Sequence, residues 1–200
     1  LNQLDASIKS FEQAITIKPD YADAYINLGI TLKNLGQLDA AVKCFEKALA
    51  INSNYAEAHN NLGNTLNDLG QLDAAVKCFK QALAIKPDFA EAHYNLGNTL
   101  KKLSRLNAAV KSFEKALAIH PNYAEAHNNL GNTLRDLNQL DAAVKSYKQA
   151  LAIKPDFAEV YSNCGTLMVG LKRLDEALTS FKRALVLNPE LSFLLGHSLH

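Results

Sequence analysis

The chain has 200 residues, and its 21 lysines and arginines are balanced by 20 aspartates and glutamates, which leaves a formal net charge of +1. No basic cluster breaks this balance, so neither nucleic acid nor an anionic membrane surface is predicted as a partner. No apolar run approaches the roughly 20 residues that span a bilayer, and the first residues lack a signal-peptide pattern, so we predict a cytoplasmic location.

The predicted elements follow a 34-residue period, which is visible in the spacing of Pro87, Pro121 and Pro155. A period of this length is typical of stacked helix-turn-helix repeats. Residues 1–21 form a partial repeat that contributes only its second helix. Complete repeats are predicted at residues 22–55, 56–89, 90–123, 124–157 and 158–191. Residues 192–200 leave the pattern and are predicted to begin a following non-repeat helix.

The first helix of a repeat carries Leu62, Gly63, Leu66 and Leu69 on one stripe, which predicts a buried face. We expect a close helix contact at Gly63, since a glycine inside a helix costs about 0.8–1.0 kcal/mol relative to alanine. The helix is predicted to end near Gly70 in a left-handed residue. Gly36, Ser104 and Asn138 occupy the equivalent positions in other repeats.

The second helix is predicted to begin near Asp73, whose carboxylate favours the positive end of the helix dipole. Its apolar stripe includes Ala75 and Phe79. After Pro87 ends the repeat, Asp88 and Glu91 have the spacing of a capping box for the next first helix.

The repeat has Leu-Gly at positions 7 and 8, Ala at 20, Phe or Tyr at 24, Ala at 27 and Pro at 32. This pattern resembles the tetratricopeptide repeat (TPR) family over residues 1–191. The resemblance implies an all-α fold, a right-handed superhelical α-solenoid of tandem repeats. Stacked repeats of this kind have a concave groove lined by first helices, which we expect to bind proteins.

An asparagine recurs at the sixth position of every complete repeat, pointing away from the Leu-Gly stripe. These residues are Asn27, Asn61, Asn95, Asn129 and Asn163, and three more, Asn64, Asn98 and Asn132, follow one turn later. A carboxamide both donates and accepts, so this asparagine ladder is predicted to bind the backbone of an extended peptide. The alternative is that recent repeat duplication alone preserved the asparagines.

Two other recurring positions have structural interpretations. His59, His93 and His127 lie one repeat apart, about 10 Å, which is too far for a shared metal, so we interpret them as packing residues. A recurring lysine on the second helix is interpreted as part of a solvated face. This lysine is Lys43, Lys77, Lys111 and Lys145.

No catalytic, metal or cofactor site is predicted. The three cysteines form no CxxC pair, and Cys44 and Cys78 occupy a position that is Ser112 and Ser146 in later repeats. The sequence has no GxSxG, HExxH, P-loop or GxGxxG motif, so this segment is not expected to be an enzyme.

The asparagine ladder is similar to that of O-GlcNAc transferase and its bacterial SPINDLY-like relatives, and residues 192–200 resemble the segment that precedes their catalytic domain. This resemblance implies a substrate-recognition arm with a glycosyltransferase downstream in the same chain. Leu1 falls at position 14 of a repeat, which favours a missing upstream segment. The predicted partners are proteins or extended peptides. Two alternatives remain beside the arm, namely a free-standing peptide-binding scaffold and an assembly scaffold of a secretion or envelope complex.

Overall fold

The computed structural model describes residues 2–190, which form eleven α-helices and no strand. The helices are α1 (Asn2–Ile17), α2 (Ala22–Asn34), α3 (Leu38–Ile51), α4 (Ala56–Asp68), α5 (Leu72–Ile85), α6 (Ala90–Lys102), α7 (Leu106–Ile119), α8 (Ala124–Asp136), α9 (Leu140–Ile153), α10 (Ala158–Gly170) and α11 (Leu174–Leu187). The predicted all-α architecture of tandem helix pairs is confirmed. The predicted helix in residues 192–200 lies outside the described residues.

The chain divides into two compact units, residues 1–104 and 105–200. In the first unit, α2 pairs with α3 and α4 pairs with α5, and each second helix also packs against the first helix that follows it. In the second unit, α8 pairs with α9 and α10 pairs with α11 in the same manner. Each unit is therefore a stack of helix pairs that share apolar faces.

The first helices form the inner layer of each unit. In the first unit, α4 has Cα atoms within 8 Å of both α2 and α6, and in the second unit α8 approaches α10 as closely. Within the described part of either unit, no two second helices come within that distance of each other. The open face of the first helices is therefore the concave face of each unit.

The mid-helix glycines allow each first helix to touch an aromatic ring of its own second helix. A Cβ placed on Gly63 would lie 2.7 Å from Cε1 of Phe79, a fully buried ring. The same contact joins Gly29 to Phe45 and Gly131 to Tyr147. The predicted close helix contact is confirmed, and it explains why glycine occupies a helix interior despite its cost.

The turn inside each repeat uses a residue with positive φ. The φ angle is 76° at Gly70, and the amides of Gly70 and Gln71 donate to the carbonyls of Asn67 and Leu66 at 3.1 and 2.8 Å. This pair of bonds is a Schellman motif. Positive φ also occurs at the predicted residues Gly36, Ser104 and Asn138, and at Lys172, which the sequence did not single out.

The predicted capping box at Asp88 and Glu91 is wrong. The helix α6 begins at Ala90 with Phe89 at the N-cap, and no side chain caps it. Lys86 and Pro87 start a turn in which the amide of Phe89 donates to the Lys86 carbonyl at 3.2 Å, so Asp88 lies one residue too early. Glu91 lies in the first helical turn and forms a different contact, described below.

Candidate functional site

The candidate site is the open face of the first helices, which α4 illustrates. Its core side consists of buried residues that include Leu62, Gly63 and Leu66. On the opposite side, Asn61 and Asn64 are half-exposed. The helical spacing of buried residues alone therefore turns the two carboxamides toward the concave face.

None of the eight predicted ladder asparagines is buried. Asn27 is exposed, and seven are half-buried, namely Asn61, Asn64, Asn95, Asn98, Asn129, Asn132 and Asn163. In the first unit, the ladder positions lie on three first helices, of which α4 touches both others. The structure thus brings the predicted residues onto one face of each unit, and their binding role stays a prediction.

Two ladder residues donate to a buried asparagine of the preceding repeat. Nδ2 of Asn95 donates to Oδ1 of Asn60 at 3.1 Å, and Nδ2 of Asn60 donates to Oε1 of Glu91 at 3.1 Å. We call this three-residue arrangement the amide clasp. Asn60 is only 2% exposed, and both ends of its carboxamide have a partner, as a polar group in the core requires.

The second unit contains the same clasp. Nδ2 of Asn163 donates to Oδ1 of Asn128 at 3.0 Å, and Nδ2 of Asn128 donates to Oε1 of Glu159 at 3.1 Å. Nδ2 of Asn128 also lies 3.5 Å from Oδ1 of the ladder residue Asn129, at the limit of a hydrogen bond. The arrangement therefore occurs in both units.

Sequence reasoning missed the buried member of the clasp. Asn60 and Asn128 both occupy the fifth repeat position and are 68 residues apart, whereas the other complete repeats have Ile26, Tyr94 and Ser162 there. The recurrence of asparagine at this position in every second repeat is the sequence signal that could have identified these two residues.

A buried tyrosine engages one more ladder residue. The hydroxyl of Tyr147 donates to Oδ1 of Asn132 at 2.7 Å, and burial raises the pKa of Tyr147 to about 12. The equivalent second-helix residue beside Asn64 is Phe79, which has no hydroxyl. Among the described residues, the carboxamides of Asn27, Asn61 and Asn64 form no hydrogen bond, so they are available to a ligand.

The carboxylates beside the ladder are paired within the protein. The carboxylate of Glu57 lies 3.2 Å from the ammonium of Lys86. The pKa of Glu57 is lowered mainly by a hydrogen bond from its own backbone N–H and also by the hydrogen bond from Lys86. Glu125 pairs with Lys154 at 3.7 Å. Asp23 accepts a short hydrogen bond from Tyr55. Each of these three pairs lies within one repeat, whereas Glu91 and Glu159 bond to the preceding repeat through the clasps.

The histidines, interpreted from the sequence as packing residues, form hydrogen bonds between repeats. Nε2 of His93 lies 3.0 Å from the Pro87 carbonyl, and His59 and His127 make the same contact to Ser53 and Pro121. A carbonyl only accepts, so Nε2 carries the hydrogen in each ring. Each histidine thereby ties a first helix to the turn before it.

The recurring lysine of the second helices lies on the surface. Lys43, Lys77, Lys111 and Lys145 are all exposed, as expected for a solvated face. Within residues 2–190, no group of three potential ligands could hold a metal ion. None of the helices in that range combines the length and apolar character needed to cross a membrane.

Comparisons with known proteins agree with this architecture. A family model described as TPR repeat matches residues 1–36, 63–104 and 131–172, together more than half of the chain. A second model, described as tetratricopeptide repeat, matches residues 22–55 and 90–123, and a third of the same description matches residues 44–77 and 112–145. No curated protein matches the chain by sequence.

Several solved structures are similar to this chain. The thermophilic TPR protein TTC0263 of Thermus thermophilus is 30% identical, with a TM-score of 0.70 over 89% of this chain and 98% of that one. MamA is 28% identical, with a TM-score of 0.77 over 82% and 96%. YrrB, described as a TPR protein with an unusual peptide-binding site, is 24% identical, with a TM-score of 0.79 over 96% of this chain and 100% of that one.

The repeated helix pairs, the glycine–aromatic contacts and the family match over more than half of the sequence agree with one another. The fold is a non-catalytic scaffold of the kind that mediates protein interactions, and the chain belongs to the tetratricopeptide repeat family.

Proposed function

We propose that the concave faces of this protein bind extended polypeptide segments through the carboxamides of the asparagine ladder. The observation that carries the proposal is that three carboxamides on the exposed side of neighbouring first helices have no hydrogen-bond partner within residues 2–190, namely Asn27, Asn61 and Asn64. Asparagine is a mediocre helix former, so its recurrence inside helices needs a compensating role.

The chemistry of the carboxamide suits a peptide backbone. Each side chain offers an acceptor oxygen and two donor hydrogens, which complement the N–H and C=O of one extended residue. Because such contacts do not read side chains, the ligand is defined by its extended conformation rather than by its sequence. Charged partners are not favoured, since the neighbouring carboxylates are already paired.

The expected ligand length follows from the spacing of the first helices. Packed helices lie about 10 Å apart, which corresponds to roughly three extended residues. The three first helices of the first unit would therefore engage about nine residues. At about 1 kcal/mol net for each hydrogen bond, and after the cost of ordering the peptide, the affinity of the ladder alone is weak to moderate.

The test replaces the three carboxamides of the first unit that have no partner among the described residues, with Asn27→Ala, Asn61→Ala and Asn64→Ala in one ladder variant. The probe is a pool of uncharged Ser, Thr, Ala and Val peptides of about nine residues, whose binding is measured by calorimetry. We expect affinity to fall about 10- to 100-fold at unchanged helicity, which is the loss of several hydrogen bonds.

The matched control removes three carboxamides from the second helices with Gln13→Ala, Gln81→Ala and Gln149→Ala, all of which are exposed. This control is expected to bind like the wild type. Equal peptide affinity in the ladder variant and the control, or no binding of the pool to the wild type at millimolar concentration, would contradict the proposal.

The two alternatives from the sequence stay predictions. A substrate-recognition arm of a glycosyltransferase would use the same ladder, but its distinguishing segment, residues 192–200, lies outside the described residues. The gene sequence beyond His200 tests it, because the arm requires a glycosyltransferase domain there. Fractionation of the source cells tests the other alternative. A secretion or envelope scaffold should be found in the envelope or secreted fraction, whereas the predicted cytoplasmic location places the protein in the cytosolic fraction.

A further inference from the structure

The amide clasp places a carboxamide in the core, at a repeat position where three of the five complete repeats have another residue. Asn60 is 2% exposed, and a buried carboxamide is stable only when its donor and acceptor both have partners. Ile26, Tyr94 and Ser162 occupy the same repeat position, so the backbone of the fold does not require asparagine there. The partners of Asn60 therefore indicate what the residue contributes.

The order of donors and acceptors in the clasp is determined by its carboxylate. Glu91 can only accept, so the end of the Asn60 carboxamide that faces it must be Nδ2. The remaining end of Asn60 is then Oδ1, which can only accept, and Asn95 must present its own Nδ2. One carboxylate thus sets the orientation of a half-exposed ladder amide through a buried one.

The second unit provides an independent copy of the arrangement. Asn128 is also 2% exposed, and its bonds to Glu159 and Asn163 measure 3.1 and 3.0 Å. The order of donors and acceptors is the same in both units. The two clasps therefore orient one ladder residue each, whereas the side chain of Asn61 has no partner among residues 2–190 and is free to rotate.

We infer that Asn60 and Asn128 are positioning residues that hold the ladder amides of Asn95 and Asn163 in one orientation for a bound peptide. The clasp uses one Nδ2 hydrogen of Asn95 and leaves the second hydrogen and Oδ1 for the ligand. A pre-oriented side chain loses less conformational entropy on binding. The effect on affinity rests on the proposed function, whereas the orientation itself does not.

The test replaces Asn60 with the residues that other repeats use, Asn60→Ser and Asn60→Ile, so that at least one folded variant is available. Without any ligand, we expect the side-chain amide resonances of Asn95 to shift and to lose protection from hydrogen exchange. Ser162→Ala changes the same repeat position where no clasp forms, and it should leave the Asn95 resonances unchanged.

Peptide affinity gives the second readout, with the same uncharged nine-residue pool as the probe. We expect Asn60→Ser to weaken binding roughly two- to tenfold, the cost of ordering one free side chain. In an Asn95→Ala background, Asn60→Ser should have no further effect, because the residue acts through Asn95. A residue with a merely structural role would weaken both backgrounds equally.

The outcomes separate this inference from the proposed function. Unchanged Asn95 amide resonances in the folded Asn60 variants would overturn the inference, as would additive losses of affinity in the double variant. If Asn95→Ala and the ladder variant bind the peptides as tightly as the wild type, the proposed function fails. The resonances of Asn95 then decide whether the clasp orients this amide.

Discussion

Replacing Gly63 with alanine tests the packing that forms each repeat. The added Cβ would lie 2.7 Å from Cε1 and 2.9 Å from both Cδ1 and Cζ of Phe79, whereas carbon atoms normally pack at about 3.5–4.0 Å. The ring is fully buried and has no open space to enter. Forcing extra atoms into a filled core lowers the stability by about 1–3 kcal/mol. Because Gly63→Ala creates three contacts this short, its cost should lie near the upper end of this range.

The same substitution also has a stabilising effect, which must be included in the expected change in the free energy of unfolding. Alanine is better than glycine inside a helix by about 1 kcal/mol. The net effect of Gly63→Ala is therefore a loss of about 2 kcal/mol in the free energy of unfolding, measured by urea denaturation followed by circular dichroism. In a Phe79→Leu background, which removes part of the ring, the cost of Gly63→Ala should shrink.

Gly170 provides the matched control, because it lies in a first helix with no heavy atom within 4 Å of its would-be Cβ. Gly170→Ala is expected to be neutral or to stabilise the protein by up to about 1 kcal/mol. If Gly63→Ala were as stable as Gly170→Ala, the ring contact could not be the reason for glycine in the first helix, and the packing argument would be refuted.

Three further outcomes follow from single side chains. Tyr147→Phe should reduce the loss of stability that the protein shows at alkaline pH. The folded-state pKa of Tyr147 is about 12, above the ordinary value of 10.0. The stabilisation from the neutral hydroxyl is therefore complete below pH 10 and is lost as pH rises through 12. A melting temperature that falls equally in both proteins over this pH range would contradict the assignment. Lys172→Gly should raise the free energy of unfolding by up to about 1 kcal/mol, because φ is 58° there, and an unchanged urea midpoint would argue against backbone strain. Burial raises the pKa of the Cys78 and Cys164 thiols, so both should react slowly with a thiol reagent at neutral pH and rapidly in urea; equal rates would contradict their burial.

Much of the fold could be predicted from local patterns. The spacing of Leu62, Gly63 and Leu66 predicted the buried face of a first helix, and Gly70 predicted the left-handed residue that ends it. These predictions succeed because helix periodicity and backbone sterics act over only a few residues. Lys172 escaped prediction, since lysine has no preference for positive φ and takes it only because the Schellman turn requires it.

The capping box shows where a local pattern misled. Asp88 and Glu91 have the spacing of a cap, yet the turn after Pro87 places Phe89 at the N-cap. Glu91 then bonds to Asn60, which lies 31 residues away in sequence. No window of a few residues contains both partners, so this pairing could not be read from the pattern.

The asparagine ladder divides in the same way between sequence and structure. The sequence alone determined the repeat, the helices and the row of asparagines on the face opposite the core, because all three depend on periodicity. Only the tertiary structure decided that Asn95 and Asn163 are held by buried amides and that Tyr147 engages Asn132. It also decided that the side chains of Asn27, Asn61 and Asn64 have no partner in the part of the chain that the structure describes. Those differences arise where neighbouring helices meet, since a hydrogen bond depends on the distance between two side chains and not on their separation along the chain.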